Sequence, residues 1–206
     1  MRVKWPENSI SVAGITLGVF ALVGVLLLGS VQWLTKDAIA ENARLRNLLQ
    51  LNEILPASAY DNDLLGSKLA NNTRVDGLAS EISYYTAYKG AVEMAKIYAV
   101  TSLEGYSGAI GLLVGVSSQD QRLIGVRVTS HKETPGLGDK IETNKADWIL
   151  QFAGKSLDEP ALKQWKVKKD GGVFDQFTGA TITPRAVVNA LRETLKLAAK
   201  KQVANE

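Results

Sequence analysis

The chain has 206 residues, a formal net charge of +3 at neutral pH and nearly balanced acidic and basic side chains. This length suffices for one domain of ordinary size plus an anchor. The absence of cysteine, together with a single histidine, His131, excludes disulfides, thiol nucleophiles, iron–sulfur ligation and a bis-histidine haem site within the chain. No basic run is interleaved with aromatics, so nucleic acid is not an expected ligand. Any redox chemistry therefore needs an organic cofactor or a partner.

An uncharged apolar run near the N-terminus predicts a transmembrane helix over 10–34. As a helix this run is ~37 Å long, enough to cross a hydrocarbon core of ~30 Å. A cleaved signal peptide is the alternative, but the run is longer than an ordinary signal core and no small-residue cleavage site closes it. Arg2 and Lys4 precede the run and favour a cytoplasmic N-terminus, while Trp5 and Trp33 lie where interfacial aromatics are expected.

Residues 35–80 predict a helical stalk followed by a connection. Apolar residues near helical spacing continue from Lys36 to Leu55, and Pro56 is expected to end the helix. The segment 60–80 is polar and contains turn signals, so we interpret it as a surface connection.

Residues 81–206 predict one α+β domain, an antiparallel sheet with helices packed on it. Four short strand patterns with brief turns between them favour antiparallel pairing. These patterns cover 82–88, 91–101, 106–116 and 123–129. A short helix is expected over 145–153 and a further strand around 165–168.

The chain closes with a predicted helix from Pro184 to about Lys201, whose apolar residues form one stripe. Thr183 is its expected N-cap and Pro184 its first helical residue. The unpaired N–H groups and the positive dipole end of such a helix favour a nearby anion.

Directly before this helix, residues 175–183 place two hydroxyls, on Thr178 and Thr181, around a Gly-Ala pair. Gly179 can adopt backbone angles closed to other residues and permits close approach to the main chain. From the residues alone, both a plain turn and a hydroxyl turn that holds phosphate remain open.

Asp175-x-x-Thr178-Gly179-Ala180-Thr181 resembles the acceptor motif of the FMN-binding domain family at every specified position. In that family the last threonine carries FMN through a phosphoester bond, so the resemblance implies covalent FMN on Thr181. It also implies that Thr178, Gly179 and Ala180 bind the cofactor. Asp175 would be recognised by a flavin transferase that uses FAD and a divalent metal.

A second stretch, Glu-Thr-Pro-Gly-Leu-Gly at 133–138, resembles a flavin-pocket loop of the same family. A bare structural loop built on Pro-Gly is the alternative. The resemblance implies cofactor contacts by the following residues: Glu133, Thr134, Gly136, Leu137 and Gly138.

Gly105-Tyr-Ser-Gly108 resembles a third loop of the family, and Tyr106 is then a flank of the flavin, although an aromatic at a strand start is also a common core residue. His131 is expected to be a polar wall residue or a surface histidine, and it is given no catalytic role. No metal site is expected in the chain.

The resemblance extends over the whole length and is closer to the G subunits of bacterial Rnf (Rsx) complexes than to the C subunits of sodium-pumping NADH:quinone reductases. It implies an electron carrier, without turnover alone, in a six-subunit ion-translocating oxidoreductase complex of the inner membrane. The implied segments are a cytoplasmic N-terminus over 1–9, a membrane helix over 10–34, a stalk and connection over 35–80, and a periplasmic FMN-binding domain over 81–206.

Two other classes of function stay open. One is a flavin-free structural subunit of the same kind of complex, anchored in the membrane, whose threonine motif is only a turn. The other is a hydrolase with a threonine nucleophile, for which the sequence offers no evident base.

Overall fold

The computed structural model describes residues 7–203, which fall into two compact units divided between Asn47 and Leu48. The predicted roles of Arg2, Lys4 and Trp5 lie outside the described residues. The orientation inferred from them therefore stays a prediction.

The first helix, α1, spans Glu7–Asn52 and includes the whole predicted membrane segment. Its apolar side chains over 11–34 are exposed in the chain itself, and the helix is long and apolar enough to cross a membrane. Thr16, Ser30 and Thr35 donate their hydroxyls to the carbonyl four residues earlier, at 2.7–2.8 Å. Because these hydroxyls are satisfied within the helix, they are compatible with an apolar surrounding.

The second unit is built on an antiparallel sheet of five strands, which confirms the predicted α+β class. The strands are β1 Leu69–Asn72, β2 Glu81–Lys89, β3 Val92–Ser102, β4 Ile110–Ser117 and β5 Leu123–Ser130. They lie side by side in chain order. β1 lies within the segment that the sequence assigned to a surface connection, because a short polar edge strand carries little hydrophobic pattern.

Each face of the sheet buries its own apolar cluster. The larger cluster packs one face against the closing helix and the irregular segments after β5, with Leu112, Val114 and Leu191 among its buried residues. The other face buries Tyr85, Ile97 and Leu113 together with two alanines, and the end of α1 with the turn after it covers them through Leu51 and Ile54. The residues of the connection are therefore part of the folded unit.

The segment between β5 and the closing helix is irregular. The predicted helix over 145–153 is a 3-10 helix, Asp147–Phe152. The strand predicted around 165–168 is wrong, because this stretch holds only a single bridge between Val167 and Phe174. Trp165 and Val167 alternate like strand residues because both are buried, yet the chain turns away at Gly171, whose φ is +81°.

The closing helix, α2, spans Ile182–Val203 and begins earlier than predicted. The carbonyl of Thr181 accepts the N–H of Arg185 at 3.3 Å, so Thr181 is the N-cap. Assigning the cap to Thr183 was wrong, because the Thr183 hydroxyl is buried and bonded to Glu133 instead of a backbone group. Pro184 is tolerated in the first turn because an N–H there has no helical partner.

Candidate functional site

A cavity of about 290 Å³ opens where three loops meet beside the start of α2. Of the residues that line this cavity, Tyr106 comes from the loop before β4. The others come from the loop after β5 and from the threonine motif with the start of α2. Its lining consists of Tyr106, Glu133, Thr134, Leu137, Gly138, Gly179, Ala180, Thr181, Ile182 and Thr183. Most residues that the sequence proposed for cofactor binding are thus brought together, but Gly136, Asp175 and Thr178 are not in this lining.

The threonines of the motif differ in how available their hydroxyls are. Thr181 is half-buried and lines the cavity. Thr178 is exposed and outside the cavity lining, whereas Thr183 is 1% exposed and its hydroxyl donates to the carboxylate of Glu133. Of these three threonines, Thr181 alone combines a place in the cavity wall with partial access.

A tight turn presents Thr181 to the cavity. The N–H of Ala180 donates to the carbonyl of Phe177 at 3.1 Å, and Gly179 has a φ of +80°. A positive φ at the third position of such a turn favours glycine strongly. The glycine of the motif is therefore explained by backbone geometry.

Glu133 connects the three loops and is itself 4% exposed. Its Oε1 accepts the backbone N–H of Ser107 at 2.9 Å, and its Oε2 accepts the hydroxyl of Thr183. Sequence reasoning missed Ser107, Ile182 and Thr183 as parts of the site. All three lie inside stretches that resemble the family, but nothing in those stretches indicates the contacts of Ser107 and Thr183 with Glu133.

Aromatic side chains of the core hold the threonine motif against the rest of the domain. The indole Nε1 of Trp148 donates to the carbonyl of Asp175 at 2.9 Å, and its ring meets that of Phe177 edge to face at 5.0 Å. Phe152 continues the cluster toward the buried Trp165. The loop that bears the threonines is thus held at both its start and its middle.

Charged pairs order the surface beside the motif. The exposed carboxylate of Asp175 pairs with Lys168, with Nζ and Oδ1 2.6 Å apart. Asp170 accepts two hydrogen bonds from Arg185, in the first turn of α2, at 2.6 and 2.9 Å. These hydrogen bonds and the guanidinium charge hold the pKa of Asp170 below its usual value.

His131 is partly buried and hydrogen-bonded, but it does not line the cavity of Thr181. Its Nδ1 accepts the N–H of Glu133 at 3.0 Å, so Nε2 carries a proton and donates to Glu142 at 2.5 Å. It lines a separate polar cavity of about 490 Å³, together with Arg127 and Asn144. Among the described residues, no cluster of three acidic or histidine side chains that could hold a metal is found.

The residues of the Thr181 cavity suit a flavin. Its volume is near the lower end of the ~300–1,000 Å³ typical of small-molecule sites. Tyr106, Leu137 and Ile182 line it and are 69%, 45% and 41% exposed, which leaves an apolar rim available to a flat ring. The start of α2 adjoins Thr181 and favours a phosphate there.

Two family models match the chain. The family model described as FMN-binding domain matches residues 105–196, and the one described as RnfG N-terminal region matches residues 1–54.

Similar proteins share most of the chain. A protein of Pseudomonas aeruginosa (strain UCBPP-PA14) is 50% identical over 87% of this chain and 84% of its own. One from Photorhabdus laumondii is 47% identical over 88% and 86%, and one from Vibrio atlanticus 41% over 92% and 90%. Each is named as the G subunit of an ion-translocating oxidoreductase complex. The chain belongs to this family, the G subunits of Rnf-type ion-translocating oxidoreductase complexes, and carries its FMN-binding domain.

Proposed function

We propose that Thr181 carries FMN through a phosphoester bond and that the chain passes electrons through this flavin within its complex. The supporting observation is the shared cavity, in which Thr181 meets the 133–138 loop although the two are far apart in sequence. Each of the two stretches resembles a different flavin-binding segment of the family.

Attachment needs a second protein, because a threonine hydroxyl is too weakly acidic to attack a phosphate unaided. A flavin transferase with FAD and a divalent metal would supply the activation. The Thr181 oxygen forms the new bond to phosphorus, the bond to AMP breaks, and the hydroxyl proton is lost. The N-cap position of Thr181 places the resulting phosphate charge at the positive end of α2. The exposed side chain of Asp175 is available for recognition by the transferase.

The bound cofactor supplies transfer of electrons singly or in pairs, and the chain supplies its environment. Tyr106, Leu137 and Ile182, which line the cavity, would cover the ring and exclude water from it. Thr134, Gly138, Gly179 and Ala180 let the cofactor approach the main chain. Gly136 and Thr178, which do not line the cavity, act by shaping the two loops.

The setting of this electron carrier is a complex of six subunits in the inner membrane of a bacterium. α1 anchors the chain in lipid, with the N-terminus in the cytoplasm and the flavin domain in the periplasm. The positive residues Arg2 and Lys4 before the apolar run support this orientation.

Peptide mass spectrometry tests the attachment. The full chain is produced with an active transferase and digested with trypsin, which releases residues 170–185 with the whole motif. We expect this peptide to gain the mass of FMN less one water, with fragmentation assigning the gain to Thr181. An unmodified peptide would contradict the carrier function and leave the flavin-free structural subunit, while a modified Thr178 would contradict the assigned residue.

A further inference from the structure

We propose that Glu133 is a positioning residue that assembles the flavin cavity before the cofactor arrives and, through its negative charge, lowers the reduction potential of the bound flavin. The second consequence rests on the proposed function, whereas the first concerns the chain alone.

The assembly role follows from the partners of this one side chain. Oε1 holds the Ser107 N–H of the loop before β4, and Oε2 holds the Thr183 hydroxyl in the first turn of α2. The backbone N–H of Glu133 is in turn fixed by Nδ1 of His131. Three segments distant in sequence are therefore joined by one carboxylate and its own loop.

Two glycines show how closely these segments meet at Glu133. A Cβ at Gly138 would lie 2.8 Å from the Cβ of Glu133 and 2.9 Å from Oγ1 of Thr183. A Cβ at Gly105 would lie 3.0 Å from Oε1 of Glu133. These distances are at or below the limit of ordinary Cβ contacts, so the loops close directly onto the glutamate and a side chain at either glycine would force its neighbours to shift.

Glu133 has no lysine or arginine as an ion-pair partner among the residues that the structure describes. The ion pair near this loop joins Lys145 to Asp139. Both oxygens of Glu133 have hydrogen-bond partners, the Ser107 N–H and the Thr183 hydroxyl. A buried charge acts over longer distances than an exposed one because little water screens it.

This charge has a defined consequence for electron transfer. An electron that arrives without a proton adds one negative charge to the cavity that Glu133 lines. Repulsion by the carboxylate makes that arrival less favourable, so the potential is lower than it would be with a neutral side chain.

Hydrogen exchange of the flavin-free full chain in detergent tests the assembly role. In Glu133→Ala the Ser107 amide loses its acceptor and should exchange roughly tenfold faster or more. Glu133→Gln keeps an oxygen for Ser107 and an amide N–H for Thr183, so its exchange should stay near the wild-type rate. Glu142→Gln is the matched control, because Glu142 lines the other cavity and the amide oxygen of glutamine can still accept from Nε2 of His131. Unchanged exchange in Glu133→Ala, or fast exchange in Glu133→Gln, would overturn the assembly role.

Redox titration of the flavinylated full chain, with dithionite as reductant and soluble mediators, tests the charge. At a fixed potential, Glu133→Gln should shift the ratio of reduced to oxidised flavin toward the reduced form by roughly threefold or more, and Glu142→Gln should shift it far less. An unchanged ratio in Glu133→Gln would overturn the role of the charge. A folded Glu133→Gln protein that takes up no flavin would also overturn this role. Because its amide retains both hydrogen bonds, the charge would then act on attachment of the cofactor and not on its potential. A wild-type chain without flavin would instead refute the proposed function, and the exchange experiment would still decide the assembly role.

Discussion

Single hydroxyls and carboxylates set the chemistry of the cavity. Thr183 illustrates this, because its buried hydroxyl bonds to Glu133 and does not cap the helix. Replacing it with valine leaves one carboxylate oxygen without this donor, which should lower the free energy of unfolding by about 1–3 kcal/mol. Thr178→Val is the control, and at this exposed position a change within about 0.5 kcal/mol is expected. Urea unfolding of the flavin-free chain measures both variants, and equal losses would contradict the assigned contact.

The pair between Asp170 and Arg185 predicts a dependence on pH. Because the pKa of Asp170 is lowered in the folded state, the pair stabilises the fold above the usual value of 3.8 for this carboxyl, and the contribution is lost as pH falls below it. Asp170→Asn should therefore lower the unfolding temperature at pH 7, and its curve should converge with the wild-type curve below about pH 3.8. Thermal unfolding across pH checks this. A difference that persists unchanged in acid would contradict the ion pair.

How far the sequence predicts individual site residues depends on whether their signal is local. The motif around Thr181 and the loop 133–138 could be predicted because each is continuous in sequence. Ser107 and Thr183 could not, since their roles arise only when distant loops meet at Glu133. Local helix-start signals favour Thr183 as the N-cap. They take no account of tertiary contacts, and here the Thr183 hydroxyl bonds to the distant Glu133.

At the scale of elements, the turn that follows α1 packs closely on the sheet through Ile54. A Cβ at Gly115 of β4 would overlap Cγ2 of Ile54, whereas one at its cross-strand partner Gly125 would lie 3.6 Å from the same atom. Gly115→Ala should therefore destabilise the domain by about 1–3 kcal/mol, because a β-branched side chain cannot easily move aside. Gly125→Ala should cost little. Denaturant unfolding distinguishes them, and equal effects would contradict this contact.

The elements themselves were predictable where their patterns repeat. β2 and β5 alternate, α2 carries an apolar stripe, and α1 and β4 are continuous apolar runs, so the existence of these elements follows from the sequence. β1 was missed because it is a polar edge strand, which depends on pairing with β2 rather than on burial. The stretch around Trp165 looked like a strand because its apolar residues alternate, although they bury an aromatic cluster instead.

The whole molecule combines an apolar helix with a compact unit that begins at Leu48. Residues 48–80 supply both β1 and the cover for one sheet face, including Leu51, Ile54 and Leu64. We expect a fragment of residues 48–206 to be soluble without detergent and to unfold cooperatively. A fragment of residues 81–206 should aggregate, because Ile97 and its neighbours lose their cover. Size-exclusion chromatography and circular dichroism compare the two, and cooperative unfolding of the shorter one would contradict this assignment.

Covalent flavin on Thr181 is the central claim, and ultraviolet fluorescence of a denaturing gel tests it most directly. The wild-type chain, Thr181→Ala and Thr178→Ala are each produced together with an active flavin transferase. We predict a fluorescent band for the wild type and for Thr178→Ala, and none for Thr181→Ala. A band that survives Thr181→Ala, or a wild-type chain without one, would contradict the claim.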